Sequence, residues 1–199
     1  MGIVQNSIGF RWEKILHDKF PDLMYTSGDN NVPDFYHPSG FWVEAKAGNI
    51  RWGGRIKQYQ LDQIRDFNKP VVYAFGMHNF DNAIKRLGQK TERGRQNYLK
   101  KNMSISETYF ISSDIIRGIL DHDSKVSEKG MRYCMVKPSA LRNVILDRPF
   151  KRQGVRIESS AEYYGFNRDN YYIYMSSGRG CILHKDIESQ IIDFLRQNH

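Results

Sequence analysis

At 199 residues, 40 % of them apolar and 26 % charged, the chain is long enough for one domain with a substantial core. Thirty Lys and Arg against 22 Asp and Glu leave a formal charge of +8, which favours a polyanionic partner without choosing between DNA, RNA and a membrane surface. No run approaches the roughly 20 apolar residues of a membrane span, residues 1–10 lack the basic start and apolar core of a secretory signal, and the isolated Cys134 and Cys181 suggest neither a disulfide framework nor a zinc site. Cytoplasmic residence is the expectation.

Along the chain, Ile8, Trp12, Ile15, Leu16 and Phe20 recur at helical spacing, with Asn6 or Ser7 available as N-cap and Pro21 closing the helix. Glu13 is the only glutamate in it. Residues 31–35 then suit a strand, and His37-Pro38-Ser39-Gly40 a turn. In the next strand Val43, Ala45 and Ala47 alternate with Glu44 and Lys46, so both charges share one side of the sheet. A hairpin of this kind brings Asp34 close to Glu44. Two carboxylates and one ammonium then converge, in a run whose small and apolar neighbours make charges unexpected.

That constellation suits phosphodiester hydrolysis. A hard divalent cation takes oxygen ligands, and two carboxylates on adjacent strands can hold one while leaving room for water and phosphate. Lys46 can orient the water or neutralise charge developing on the phosphoryl oxygens. The plainer reading is an edge hairpin with a solvated Glu–Lys face.

Beyond the hairpin, residues 49–54 form a basic loop that brings Arg51, Trp52 and Arg55 close together. A helix is expected from about residue 55 to 67, with Ile56, Gln60, Ile64 and Phe67 on one face. A glutamine inside an apolar stripe needs hydrogen-bond partners; Gln58 and Gln63 stand beside Gln60 as alternatives because the helical phase is open. Val71-Val72-Tyr73-Ala74-Phe75 has the nearly continuous apolar character of a buried central strand.

The string Pro33-Asp34 … Glu44-Ala45-Lys46 resembles the PD-(D/E)XK nuclease superfamily, which includes restriction endonucleases, Holliday-junction resolvases and some homing endonucleases. The resemblance covers residues 1–78 and implies an α/β (α+β) fold, a restriction-endonuclease-like core of order αβββαβ in which helices flank a mixed central sheet. It implies that Asp34 and Glu44 ligate Mg2+, with Mn2+ as a substitute, that Ala45 offers its backbone carbonyl, and that Lys46 is the catalytic lysine. It implies supporting catalytic roles for Glu13 and Gln60, and a homodimer is in keeping with it. DNA is the expected partner, with Arg51, Arg55 and Lys57 against the phosphates.

Residues 79–107 turn polar and basic. They read either as a DNA-facing insertion, in which Lys100 and Lys101 neutralise phosphates and Tyr98 stacks, or as solvated helix and loop. Residues 108–199 show a short strand, a cap and an amphipathic helix three times, beginning at Tyr109, Tyr133 and Cys181, and are expected to extend the sheet. Asp121-His122-Asp123 reads as a polar loop, and the tyrosines of 161–175 as a half-buried hairpin or a stacking surface. The expectation is a Mg2+-dependent DNA endonuclease. Its rivals are a non-catalytic nucleic-acid-binding protein on the same fold and an RNA-directed nuclease.

Overall fold

A computed structural model describes residues 3–26, 32–38, 40–65, 71–80, 87–146, 148–164 and 173–177. Helix α1 (Ile3–Lys19) buries Val4, Ser7, Trp12 and Leu16 along one face. Strands β1 (Met24–Tyr25), β2 (Phe35–His37) and β3 (Phe41–Asn49) follow as an antiparallel set. After a tight turn come β4 (Gly54–Lys57), α2 (Gln58–Arg65) and β5 (Val71–His78). β5 runs parallel to β3 from Trp42↔Val71 to Asn49↔His78, buried along its whole length. A parallel return needs a crossover, and β4 with α2 provides it.

The remaining described elements are α3 (Glu92–Asn102), β6 (Ile105–Ser112), α4 (Ser113–Asp123), β7 (Lys125–Val126), β8 (Arg132–Val136), α5 (Pro138–Leu146), β9 (Phe150–Arg152), β10 (Val155–Ile157), α6 (Ser160–Tyr163) and β11 (Ile173–Ser177). Among the described residues the main sheet is six-stranded and mixed, in the order β1-β2-β3-β5-β6-β11, beside a three-stranded sheet β4-β8-β7 and the hairpin β9-β10.

Alternation along the strands divides the core. Val43, Ala45, Val72, Ala74 and Phe110 face Trp12 and Leu16 of α1. Tyr73, Phe75, Met77, Tyr109 and Ile111 face the other way, against Ile56, Leu61, Ile116, Ile119, Leu120, Cys134, Val136 and Leu141. Each fully buried large side chain contributes about 1.5–3 kcal/mol, so both faces of the sheet are anchored. α1 and α3 form one outer layer, and the small sheet with α2, α4 and α5 forms the other.

Several expectations change. Residues 55–57 belong to strand β4 where the first turn of a helix was expected, because β4 pairs with the distant β8 and buries Ile56 against Cys134. The stretch 79–107 contains a packed helix: Leu87, Leu99 and Met103 of this region form a cluster with Val4 and Phe80. Tyr98 meets Phe80 edge-on at 6.1 Å. Asp121-His122-Asp123 closes α4 instead of forming a loop; Asp123 pairs with Arg152 at 2.6 Å and His122 packs on Tyr163. The β6–α4 and β8–α5 units form as expected, although β8 builds the second sheet instead of extending the first. Of the tyrosines, Tyr163 closes α6 and Tyr164 caps it, where a hairpin was expected, because Ser159 caps a helical turn there; Tyr163 is half-buried, Tyr164 buried, and both pack on Phe150. Phe67, the third unit from Cys181, and residues 165–172 lie outside the described residues.

Candidate active site

Asp34 stands just before β2, and the β2–β3 register at Phe35↔Val43 sets it opposite Glu44. The Ala45 N–H donates to Asp34 Oδ2 at 2.8 Å, so the carboxylate takes a donor of the strand itself. Thr26 holds the neighbouring backbone. Its N–H donates to the Asp34 carbonyl at 3.1 Å and its hydroxyl to the Pro33 carbonyl at 2.7 Å. Glu44 and Lys46 share the face of β3 turned away from α1, and Lys46 Nζ donates to Glu44 Oε1. Their side chains are 12 % and 19 % exposed, shielded from bulk screening yet open to water.

Burial dominates the electrostatics. Together with the nearby Glu44 it pushes the Asp34 carboxyl up to about 7, against the opposing pull of Lys46 and the Ala45 N–H. Burial alone would lower the Lys46 ammonium, but Glu44, Asp34 and Glu13 outweigh it and hold the group above its ordinary value. Lys46 is therefore a fixed positive charge. Glu13, on α1, is raised by burial, drawn down by the field of Lys46 and raised again by that of Glu44.

The site is thus short of positive charge, and its donors are oxygens. Among the described residues, Asp34 Oδ1 and Glu44 Oε2 accept no hydrogen bond. Mg2+ commonly rests on one or two carboxylates and keeps several waters, which fits this pair. No three His, Cys, Asp or Glu groups among the described residues come close enough to hold one ion. A cation here would rest on Asp34 and Glu44, with water and phosphate completing its shell and Glu13 outside it.

Gln60 turns elsewhere: its amide oxygen accepts from the Lys57 N–H at 3.3 Å, capping the start of α2. Gln58 buries its amide oxygen with no partner among the described residues, while its Nε2 donates to Asp62 at 2.8 Å. The side chain of Gln63 lies outside the described residues. Arg51 and Arg55 are exposed and Lys57 half-exposed, on the turn and strand that follow β3. Lys100 and Lys101 are exposed on the last turn of α3, in the α1 layer, whereas Glu44 and Lys46 project from the opposite face of β3.

Sequence reasoning missed two features. Tyr73, in register with Glu44, buries a hydroxyl that has no hydrogen-bond partner among the described residues. Tyr133 and Lys125 share the outward face of the small sheet with Arg55 and Lys57. No local pattern announces the second feature, because it depends on β4 pairing with β8.

Compared with known proteins, the chain matches no family model, no curated protein and no solved structure.

Proposed function

We propose that the chain is a Mg2+-dependent DNA endonuclease on a restriction-endonuclease-like core. The observation that carries this reading is the convergence of Asp34, Glu44 and Lys46 in a half-shielded, oxygen-lined site. The order α1, β1, β2, β3, β4, α2, β5, in which β4 leaves the main sheet for the small one and β3 and β5 run parallel, is compatible with it, as is the formal charge of +8. A bound Mg2+ supplies Lewis acidity and a more acidic water. Asp34 and Glu44 would hold that ion. Lys46, kept protonated by three carboxylates, orients the nucleophilic water and offsets charge gathering on the phosphoryl oxygens. Glu13 adds to the field that keeps Lys46 charged. Arg51, Arg55 and Lys57 follow β3 directly and suit phosphate contacts.

Supercoiled plasmid, a four-way junction and matched DNA and RNA duplexes, each incubated with Mg2+, Mn2+ or EDTA, test the reading. Metal-dependent DNA cleavage that falls about a hundredfold or more in Lys46→Ala is the expected result. DNA binding indifferent to metal, with no cleavage of any substrate, would make the protein a binder. Cleavage confined to RNA would reassign the substrate.

A further inference from the structure

β3 ends in a clamped turn. The Asn49 N–H donates to the Gly53 carbonyl at 3.1 Å, the Gly53 N–H returns to Asn49 at 2.7 Å, and the Arg51 N–H donates to Asn49 Oδ1 at 2.8 Å. Gly53 has φ +83°, and a Cβ there would lie 2.2 Å from the Val136 carbonyl oxygen, so the base of the turn sits hard against β8. Trp52 crowns this turn at 67 % exposure, the most exposed aromatic side chain among the described residues. An indole held in water by a rigid turn has no folding role to explain it.

The adjoining surface is cationic and aromatic. Along β4, Ile56 points inward while Arg55 and Lys57 point outward. Lys57 registers with Tyr133 and Tyr133 with Lys125, a row across three strands. The Arg55 guanidinium lies 3.8 Å from the Tyr133 ring centre, and Lys57 Nζ 5.3 Å from that of Tyr59. Among the described residues, none of Arg55, Lys57 and Lys125 pairs with a carboxylate. Cations without acidic partners beside a presented indole complement a nucleic-acid strand: phosphates for the charges, a base face for the ring.

We infer that the Trp52 turn and the outward face of β4-β8-β7 bind DNA, with Trp52 stacking on an unpaired base. This rests on the nuclease reading and narrows its substrate to duplex carrying a gap, flap or branch, because a continuous stack offers no free base face.

Tryptophan fluorescence separates this site from the rest, since Trp12 is fully buried and Trp42 half-buried. The Lys46→Ala protein, in which cleavage should be suppressed, is titrated in Mg2+ with a continuous duplex and with the same duplex carrying a gap of about four nucleotides, the length of a small single-strand site. Gapped DNA should quench the emission. Adding Trp52→Phe should remove the quench and keep affinity within about threefold, while adding Trp52→Ala should weaken gapped DNA about tenfold or more and the continuous duplex less than about twofold. A quench that survives Trp52→Phe, or equal affinities with and without Trp52→Ala, overturns the inference. Plasmid cleavage by the parent protein is followed in parallel: cleavage without these Trp52 effects removes the inference alone, and absence of both cleavage and binding removes the nuclease reading with it. Self-association lost in Trp52→Ala, with DNA binding unchanged, would assign the turn to contact between copies and also overturn it.

Discussion

Asp34 combines burial with a like-charged neighbour, and the sign of its effect on stability follows. In the unfolded chain its carboxyl titrates near 3.8; folded, it keeps its proton up to about 7. Between those values the folded state binds more protons than the unfolded one, so stability is highest at the acid end and declines as pH rises to about 7, where the decline ends. The metal-free melting temperature should fall across that window, and Asp34→Asn should flatten the fall; calorimetry at a series of pH values reads both. An equally steep profile in Asp34→Asn would assign the dependence to another group, with Glu13, raised in the same direction, next in line. A divalent cation must displace the same proton. Its affinity should therefore weaken by up to about tenfold per pH unit below about 7, measurable by titration calorimetry.

At the scale of elements, α1 is seated by one indole. Trp12 lies flat over β5 where Gly76 leaves room, and its Nε1–H donates to the Ala74 carbonyl at 3.0 Å. A Cβ on Gly76 would come within 2.4 Å of the indole ring. Gly76→Ala should cost about 1–3 kcal/mol by overpacking and should loosen the helix that carries Glu13. Gly9→Ala on the same helix has the opposite expectation, because the nearest atom to its added Cβ is Glu13 Oε1 at 3.9 Å. It should stabilise the protein by about 0.5–1 kcal/mol through helix propensity. Urea midpoints of the two variants measure both effects, and shifts of the same sign would refute the packing argument.

Across the whole molecule, the proposed DNA binding should depend on charge and layer order. The excess of +8 predicts steep salt dependence of DNA affinity. Each phosphate-contacting lysine accounts for about one unit of the slope of log affinity against log salt. Lys57→Ala and Lys125→Ala should each lower the slope by about one, since both lie on the outward face of the small sheet. Lys100→Ala with Lys101→Ala, placed in the α1 layer, should lower it by less than about half as much. Fluorescence anisotropy over a salt series distinguishes the two surfaces. An equal loss from both would mean that DNA wraps around the α1 layer as well.

The sequence by itself determined what local periodicity encodes. Trp12 and Leu16 at helical spacing specify α1, the alternation of Val43, Ala45 and Ala47 against Glu44 and Lys46 specifies β3, and Pro38 with Gly40 places the turn that sets Asp34 opposite Glu44. The unbroken apolar run of β5 and the strand–helix units at Tyr109 and Tyr133 were legible for the same reason. Only the tertiary structure decided the rest. Arg55-Ile56-Lys57 fits a helical stripe read alone and becomes a strand because β8, far along the chain, supplies its hydrogen bonds. Gln60 spends its acceptor on Lys57 because β4 ends there and α2 needs a cap. The proton affinity of Asp34 depends on how deeply the folded chain buries it beside Glu44. Spacing along a chain fixes which side chains share a face; pairing partners and burial are properties of the assembled layers.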